Sequence, residues 1–345
     1  MKPLSKFFLF IFLHLSLLSC VNKDPLAQFT ARQTESIEPA QWIPLEDYGV
    51  LKPSDALRYG DDYIIIDNKR ENIITRVNFS TNQFVSGINF GNGPNELNMI
   101  GKLRKVKDKL LLNDTSRQTI FEIITSQDSL LQLETYRKIN YEKRLFFLDY
   151  LGDKVIAIGM YGDLWIGYID LLTNELLSGV YFPDFDETSH LMGMQKAALY
   201  INTRIALSPD SKKLVAATLD AGVIISLIDV GEKELTEYKQ IKYYPPEFKV
   251  VQGGNIAHSR TAKDGFCAID CDDKYIYALY SGRTFNSHDA LAYHCEHLFV
   301  YDWDGNPIKH YVLSIPMWMM RYDSEKNSIY GIAYDPEGGF IEYQL

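Results

Sequence analysis

The chain has 345 residues, 46% hydrophobic and 13% aromatic, so it can bury a sizeable core without covalent staples. Four cysteines in that length exclude a disulfide-built scaffold, and 45 Asp and Glu against 35 Lys and Arg, a net charge of −10, exclude the basic face that a nucleic-acid partner requires. The same acidity argues against an electrostatic grip on anionic lipid and leaves solubility as its plain use.

At the N-terminus, Lys2 and Lys6 flank the start of an apolar run from Phe7 to Leu18, interrupted only by His14 and Ser16. The run is too short to span a bilayer comfortably and has the form of a secretory signal. It closes on Leu17-Leu18-Ser19-Cys20, similar to a bacterial lipobox, in which the cysteine is lipidated and becomes the mature N-terminus. Leu18 departs from the smaller or β-branched residue usual there. Cys20 is therefore the expected lipidation site, with an ordinary cleaved signal as the alternative. Residues 21–35 are polar and aperiodic and read as a tether. The expected organisation is a signal at 1–20, a tether at 21–35 and a domain at 36–345. That domain would sit at the outer membrane by lipid anchor alone, on its periplasmic face or at the cell surface, as a monomer.

Within the domain no stretch sustains the apolar spacing of a long amphipathic helix. A polar tight turn followed by an apolar strand recurs instead, starting with Gly60-Asp61-Asp62 before YIIID and Lys107-Asp108-Lys109 before LLLND. Gly152-Asp153-Lys154 precedes VIAIG, Asp210 to Lys213 precedes LVAAT, Asp272-Asp273-Lys274 precedes YIYALY, and Ser324 to Asn327 precedes SIYGIAY. Six such turns at intervals of roughly 45 to 65 residues are a repeat signature. Each is followed by a further strand, such as Ile74 to Phe79, Trp165 to Asp170 or Leu298 to Trp303, and then by an outer one, such as Phe84 to Phe90, Leu176 to Phe182 or Pro307 to Leu313. Four strands in each of six units predict an all-β, six-bladed β-propeller. After Tyr330 the chain has room for one more strand, Gly339 to Leu345, so the last unit lacks its outermost one. Ile37 to Glu46 reads as an isolated strand ahead of the first unit. Pairing the two closes the ring, and Pro44 suits an outermost strand with one unpaired side.

The stretch Phe90-Gly91-Asn92-Gly93-Pro94-Asn95-Glu96-Leu97 looks like a cofactor loop. A P-loop needs G-x-x-x-x-G-K-[S/T]. Counting back from Gly101-Lys102 puts Glu96 at the first glycine, and Leu103 replaces the hydroxyl residue. No βαβ unit follows, so a dinucleotide fingerprint fails too. The loop reads as an architectural crossing from the outer strand of unit one to the inner strand of unit two, at roughly residues 98–106.

This G-x-G-P-x-E connection, with Ser281 to Phe285 (SGRTF) and the VYDWDGNPIKHYVL near the C-terminus, resembles TolB-like six-bladed propeller lipoproteins of Bacteroidetes. The resemblance covers most of the chain beyond Cys20. It implies an envelope-anchored propeller for binding, with no catalytic residues and no cofactor to carry over.

Unit five carries a long polar loop, Ser281 to Asp289, of the kind that sits at a channel mouth. Arg283 offers a planar fork for a carboxylate or phosphate, and Asn286, His288 and Asp289 add hydrogen-bonding groups. The structural alternative is that Arg283 ties the loop internally. Cys267, Cys271 and Cys295, with His258, His294 and His297, look at first like a zinc set. Their spacing lacks the close pairs of a metal knuckle. Cys267 and Cys295 fall on the first and third strands of one blade, about 9.6 Å apart if opposed, which makes a disulfide awkward and buried free thiols the expectation. Hydrolase signatures such as G-x-S-x-G and H-E-x-x-H are absent. The reading is a non-catalytic module for an envelope protein or glycan. The alternative is a metal- or carboxylate-dependent hydrolase, lactonase or lyase acting in the channel.

Overall fold

A computed structural model describes residues 24–69, 71–125, 131–334 and 337–345, without the side chains of Asp289 and Ala290. The signal, Cys20 and residues 21–23 of the tether lie outside the described residues. Four antiparallel blades are complete in chain order: Pro53–Tyr59 to Gln83–Gly87, Arg104–Val106 to Leu131–Lys138, Leu145–Leu151 to Glu175–Tyr181, and Thr203–Leu207 to Leu235–Tyr244. Blade five comprises Phe266–Cys271, Tyr275–Tyr280, Cys295–Asp302 and the first half of Pro307–Asp323. The second half of that strand opens blade six, followed by Ser328–Ala333 and Gly339–Gln344. The outer strand of blade five, expected to end at Leu313, is thus part of a single 17-residue strand that continues to Asp323 in the next blade.

The last blade is completed by Gln41–Pro44, which pairs antiparallel with Gly339–Gln344 in the register Gln41 to Glu342 and Pro44 to Gly339. This is the closure that the two chain ends require. With it, the last blade of the six-bladed propeller has its fourth strand, and Pro44 lies on the outermost one.

Both faces of each blade are buried against neighbours, which is why its strands read as continuous apolar runs rather than as alternation. Leu214 and Ala216 pack in the seam with blade three, whereas Val215 and Ala217, on the opposite face, pack in the seam with blade five. Ile64 and Ile66 face blade two, and Tyr63 and Ile65 face blade six. Six apolar clusters fill the six seams.

Residues 24–35, read as part of the tether, are instead packed on the ring. Asp24 caps a turn of 3-10 helix at Pro25–Gln28 and pairs with Lys263 at 2.9 Å. Phe29 stacks on Phe299 with ring centroids 4.9 Å apart, and Thr34–Ile37 adds a parallel fifth strand to blade five. Leu26 and Phe29 supply the apolar anchors that the polar composition conceals. The strand also covers the outer edge that blade five would otherwise expose.

Because strands alternate, the tight turns after inner strands and after third strands share one face of the ring. The connections between second and third strands, and from blade to blade, share the other. That second face carries the elaborations: the helix Gly193–Leu199, the hairpin Phe248–Val250 with Ile256–His258, and the loop after Tyr280. The expected inner strand at residues 98–106 is shorter, Arg104–Val106, because residues 98–103 turn along this face. There the Asn98 backbone amide donates to Asp114, and that of Gly101 to the Asn113 carbonyl.

Candidate ligand-binding site at the channel mouth

The inner strands converge on a cavity of about 320 Å³ that receives at least one residue from every blade, among them Asp55, Arg104, Phe147, Arg204, Cys267 and Met320. Asn68 and Asn202, at the mouth ends of their blades, also line it, so it opens on the elaborated face.

Next to it lies a charged level, from which Arg104 is the one side chain among the lining residues. Arg104, Asp149, Asp270 and Arg321 occupy one level of four inner strands, each facing the third residue of its blade's second strand. Arg321, 5% exposed, donates from Nη2 to both oxygens of Asp55 at 2.8 Å and to the Leu103 carbonyl, and from Nε to the Ala56 carbonyl. One side chain thereby ties blades six, one and two. Burial works against its charge, but Asp55, Tyr330 and Asp270 more than offset that and raise its pKa. Arg104 Nη2 meets Asp149 Oδ2 at 2.5 Å and the Ile205 carbonyl at 3.1 Å, linking blades two, three and four. The Arg104 Nε is buried without a partner among the described residues. Asp270 accepts from the backbone amides of Cys271 and Tyr322.

Lys102 is different. It lines the cavity, and its ammonium makes no hydrogen bond or ion pair among the described residues. Burial, then the neighbouring Arg104 and Arg321, push its pKa down from 10.5 to about 7, against a weaker upward pull from Asp270 and Asp149. Arg204 lies over the Phe147 ring at 5.2 Å and donates to the Cys267 carbonyl at 2.9 Å, with burial lowering its pKa. Beside the mouth, Asn202 donates to Asp220 at 2.7 Å. Burial and Asp220 raise the pKa of Asp264 to about 7.

The loop residues singled out in the sequence lie on the same face but are not among those lining this cavity. Arg283 donates to the Leu291 carbonyl at 3.2 Å and pairs with Glu296 at 3.3 Å, tying the loop to its own blade. Asn286 and His288 are exposed on a short helix, Phe285–His288, and the side chain of Asp289 lies outside the described residues. In the glycine-rich turn the anion is internal: the Glu96 carboxylate accepts from the Gly93 amide at 2.7 Å, where a phosphate would sit in a P-loop. A Cβ on Gly91 would come within 2.1 Å of that carboxylate. Arg117, paired with Asp114, clamps the turn through the Gly93 and Glu96 carbonyls.

Cys267, Cys271 and Cys295 are buried free thiols. Cys267 and Cys295 lie closer than their strand positions suggest, since both donate to the Tyr293 carbonyl, at 3.3 and 3.5 Å. Cys295 begins its strand beyond the last paired residue of the strand between them, Tyr280, which pairs with His297. Among the described residues no three His, Cys, Asp or Glu side chains are grouped to hold a metal ion.

A family model described as TolB-like 6-blade propeller-like matches residues 34–321. The chain belongs to this family. Among solved structures it is similar to the Cps50 (Swd1) β-propeller domain of Myceliophthora thermophila, at 9% identity and a TM-score of 0.50, covering 89% of this chain and 99% of that one. A luciferin-regenerating enzyme aligns at 7% identity and a TM-score of 0.49 over 88% of this chain and 95% of that one. No curated protein matches the sequence. The likeness to the first structure is one of fold alone.

Sequence reasoning passed over the propeller's axial charges. Lys102 was met only as a failed P-loop lysine. Superposing the six units on their tight turns would have exposed the charged level, because charge recurs there on inner strands that should otherwise be apolar.

Proposed function

We propose that this protein is a cell-envelope lipoprotein, anchored through Cys20 to the outer membrane, whose propeller binds a glycan or protein ligand at the channel mouth without catalysing a reaction. One observation carries the binding reading: a mouth cavity built by all six blades, whose one lining carboxylate, Asp55, is already satisfied while Lys102 has no partner among the described residues. A concave site with apolar walls and a few placed polar groups is the form binding sites take. The hydrolase, lactonase or lyase alternative needs acids free to act at the axis. Asp55 and Asp149 are held by Arg321 and Arg104 instead. The loop groups Arg283, Asn286, His288 and Asp289 share the mouth face and would extend the contact with a large ligand.

Support for the anchor is the lipobox-like run ending at Cys20. Among the described residues no helix is long and apolar enough to cross a membrane. Alkynyl-palmitate labelling of cells expressing the chain should mark the protein, and Cys20→Ala should abolish the mark; labelling of the variant would defeat the anchoring reading. Glycan and peptide arrays probed with the full chain should give hits that Met320→Trp, which fills the cavity, removes. Hits untouched by that change would place binding elsewhere.

A further inference from the structure

We infer that the channel mouth is a carboxylate site: Lys102, beside Arg104 and on the same cavity lining as Arg204, takes the carboxylate of a small organic acid, with the acid's body against Phe147 and Trp318. This rests on the reading that the mouth is where the propeller binds. It narrows the ligand to a chemical class.

Three observations converge on it. Donors dominate the lining, since the one lining carboxylate, Asp55, already accepts from Arg321, Ala56 N and Leu103 N. The donors left over among the described residues include the Lys102 ammonium, the Trp318 Nε1 and the Nε of Arg104, a residue only 9% exposed. Size is the second: about 320 Å³ matches roughly ten water volumes at ~30 Å³ each, room for a single sugar acid or a short dicarboxylate rather than a folded segment. Charge balance is the third. Arg104 and Arg321 are matched by Asp149 and Asp55, and Asp270 and Cys271 also lie near Lys102. With Arg204 counted, Lys102, Arg104, Arg204 and Arg321 stand against Asp55, Asp149 and Asp270, an excess of one positive charge when Lys102 is protonated, which suits a singly charged group. A dianionic phosphate would exceed that single excess charge and leave net repulsion with Asp270.

Lys102 also gives the site a signature that a structural lysine lacks. An ammonium with a pKa near 7 is mostly neutral at pH 8, and an anion placed against it raises that pKa. Binding at pH 8 therefore takes up a proton.

The test is calorimetric titration of the full chain in detergent with galacturonate, glucuronate and succinate, each beside its methyl ester, and with inorganic phosphate, in HEPES and in Tris at pH 8. The acid should bind at least tenfold more tightly than its ester, with uptake approaching one proton per ligand. Lys102→Met should lose the uptake and at least tenfold in affinity. Lys102→Arg should keep affinity without uptake, because a guanidinium stays charged. Acid and ester bound alike, or inorganic phosphate preferred, would overturn the carboxylate assignment and leave the mouth as the binding site. Binding by none of them, with the chain folded, would overturn the carboxylate assignment. If the array hits also survive Met320→Trp, the binding reading falls with it.

Discussion

Replacing Lys102 with Met should stabilise the fold at acidic and neutral pH. The lysine is charged in the unfolded chain up to its ordinary pKa of 10.5, but in the folded ring only below about 7. Between those values the unfolded state binds more protons, so wild-type stability climbs with pH relative to a variant without the group. The penalty is full below pH 7 and has vanished by pH 10.5. At about 1.36 kcal/mol per pH unit its ceiling is about 5 kcal/mol. Lys102 is only half-buried, which lowers the expected value to about 1–3 kcal/mol, and methionine replaces the stem at similar volume. Urea unfolding of both proteins at pH 6 and pH 9 isolates the effect, since every other titrating group is common to the pair. The variant should be more stable at pH 6, by an amount that shrinks toward pH 9. A variant less stable at pH 6, or a difference that does not change with pH, would mean that Lys102 has a partner in the folded ring.

Arg321→Met should cost about 3–5 kcal/mol by chemical denaturation, because it strands the Asp55 charge in a buried seam; a loss under about 1 kcal/mol would show that the pair does not hold the blades together. Phe29→Ala removes the ring stacked on Phe299. Hydrogen exchange of residues 24–37 should accelerate while the blade strands stay protected, with about 2 kcal/mol lost locally. A uniform fall in protection would show that the segment unfolds only with the ring. Asp264 has its pKa raised to about 7, so its contribution is full below 3.8 and is lost as pH rises through 7. Asp264→Asn should flatten the decline in melting temperature between pH 5 and pH 8, and an unchanged decline would assign it to other groups.

The ring was legible because its signals are local and repeated. A polar turn ahead of LVAAT or YIIID needs no partner to be recognised, and a missing final strand beside a spare one at Gln41–Pro44 has a single economical solution. Single long-range contacts left no such mark. Nothing in the polar run 21–35 announces that Phe29 meets Phe299, and nothing in the spacing of Cys267 and Cys295 shows that both thiols reach the Tyr293 carbonyl. The charged level was hidden for another reason. Asp55, Asp149 and Asp270 are three acids among 45 Asp and Glu, and only the ring brings them to one axis. Arg283 drew attention because it is a cation in a long loop. Lys102 did not, sitting between a glycine and a leucine in a stretch that reads as an inner strand.

Methyl NMR of methionine-labelled protein tests most directly whether the channel mouth is the ligand site. Met319 and Met320 line the cavity, while Met192 and Met194, at 70% and 56% exposure, mark the outer mouth face. Titration with galacturonate should shift the Met319 and Met320 methyl resonances saturably and leave those of Met192 and Met194 in place. Saturable shifts confined to Met192 and Met194 would move the site out of the channel and contradict the assignment.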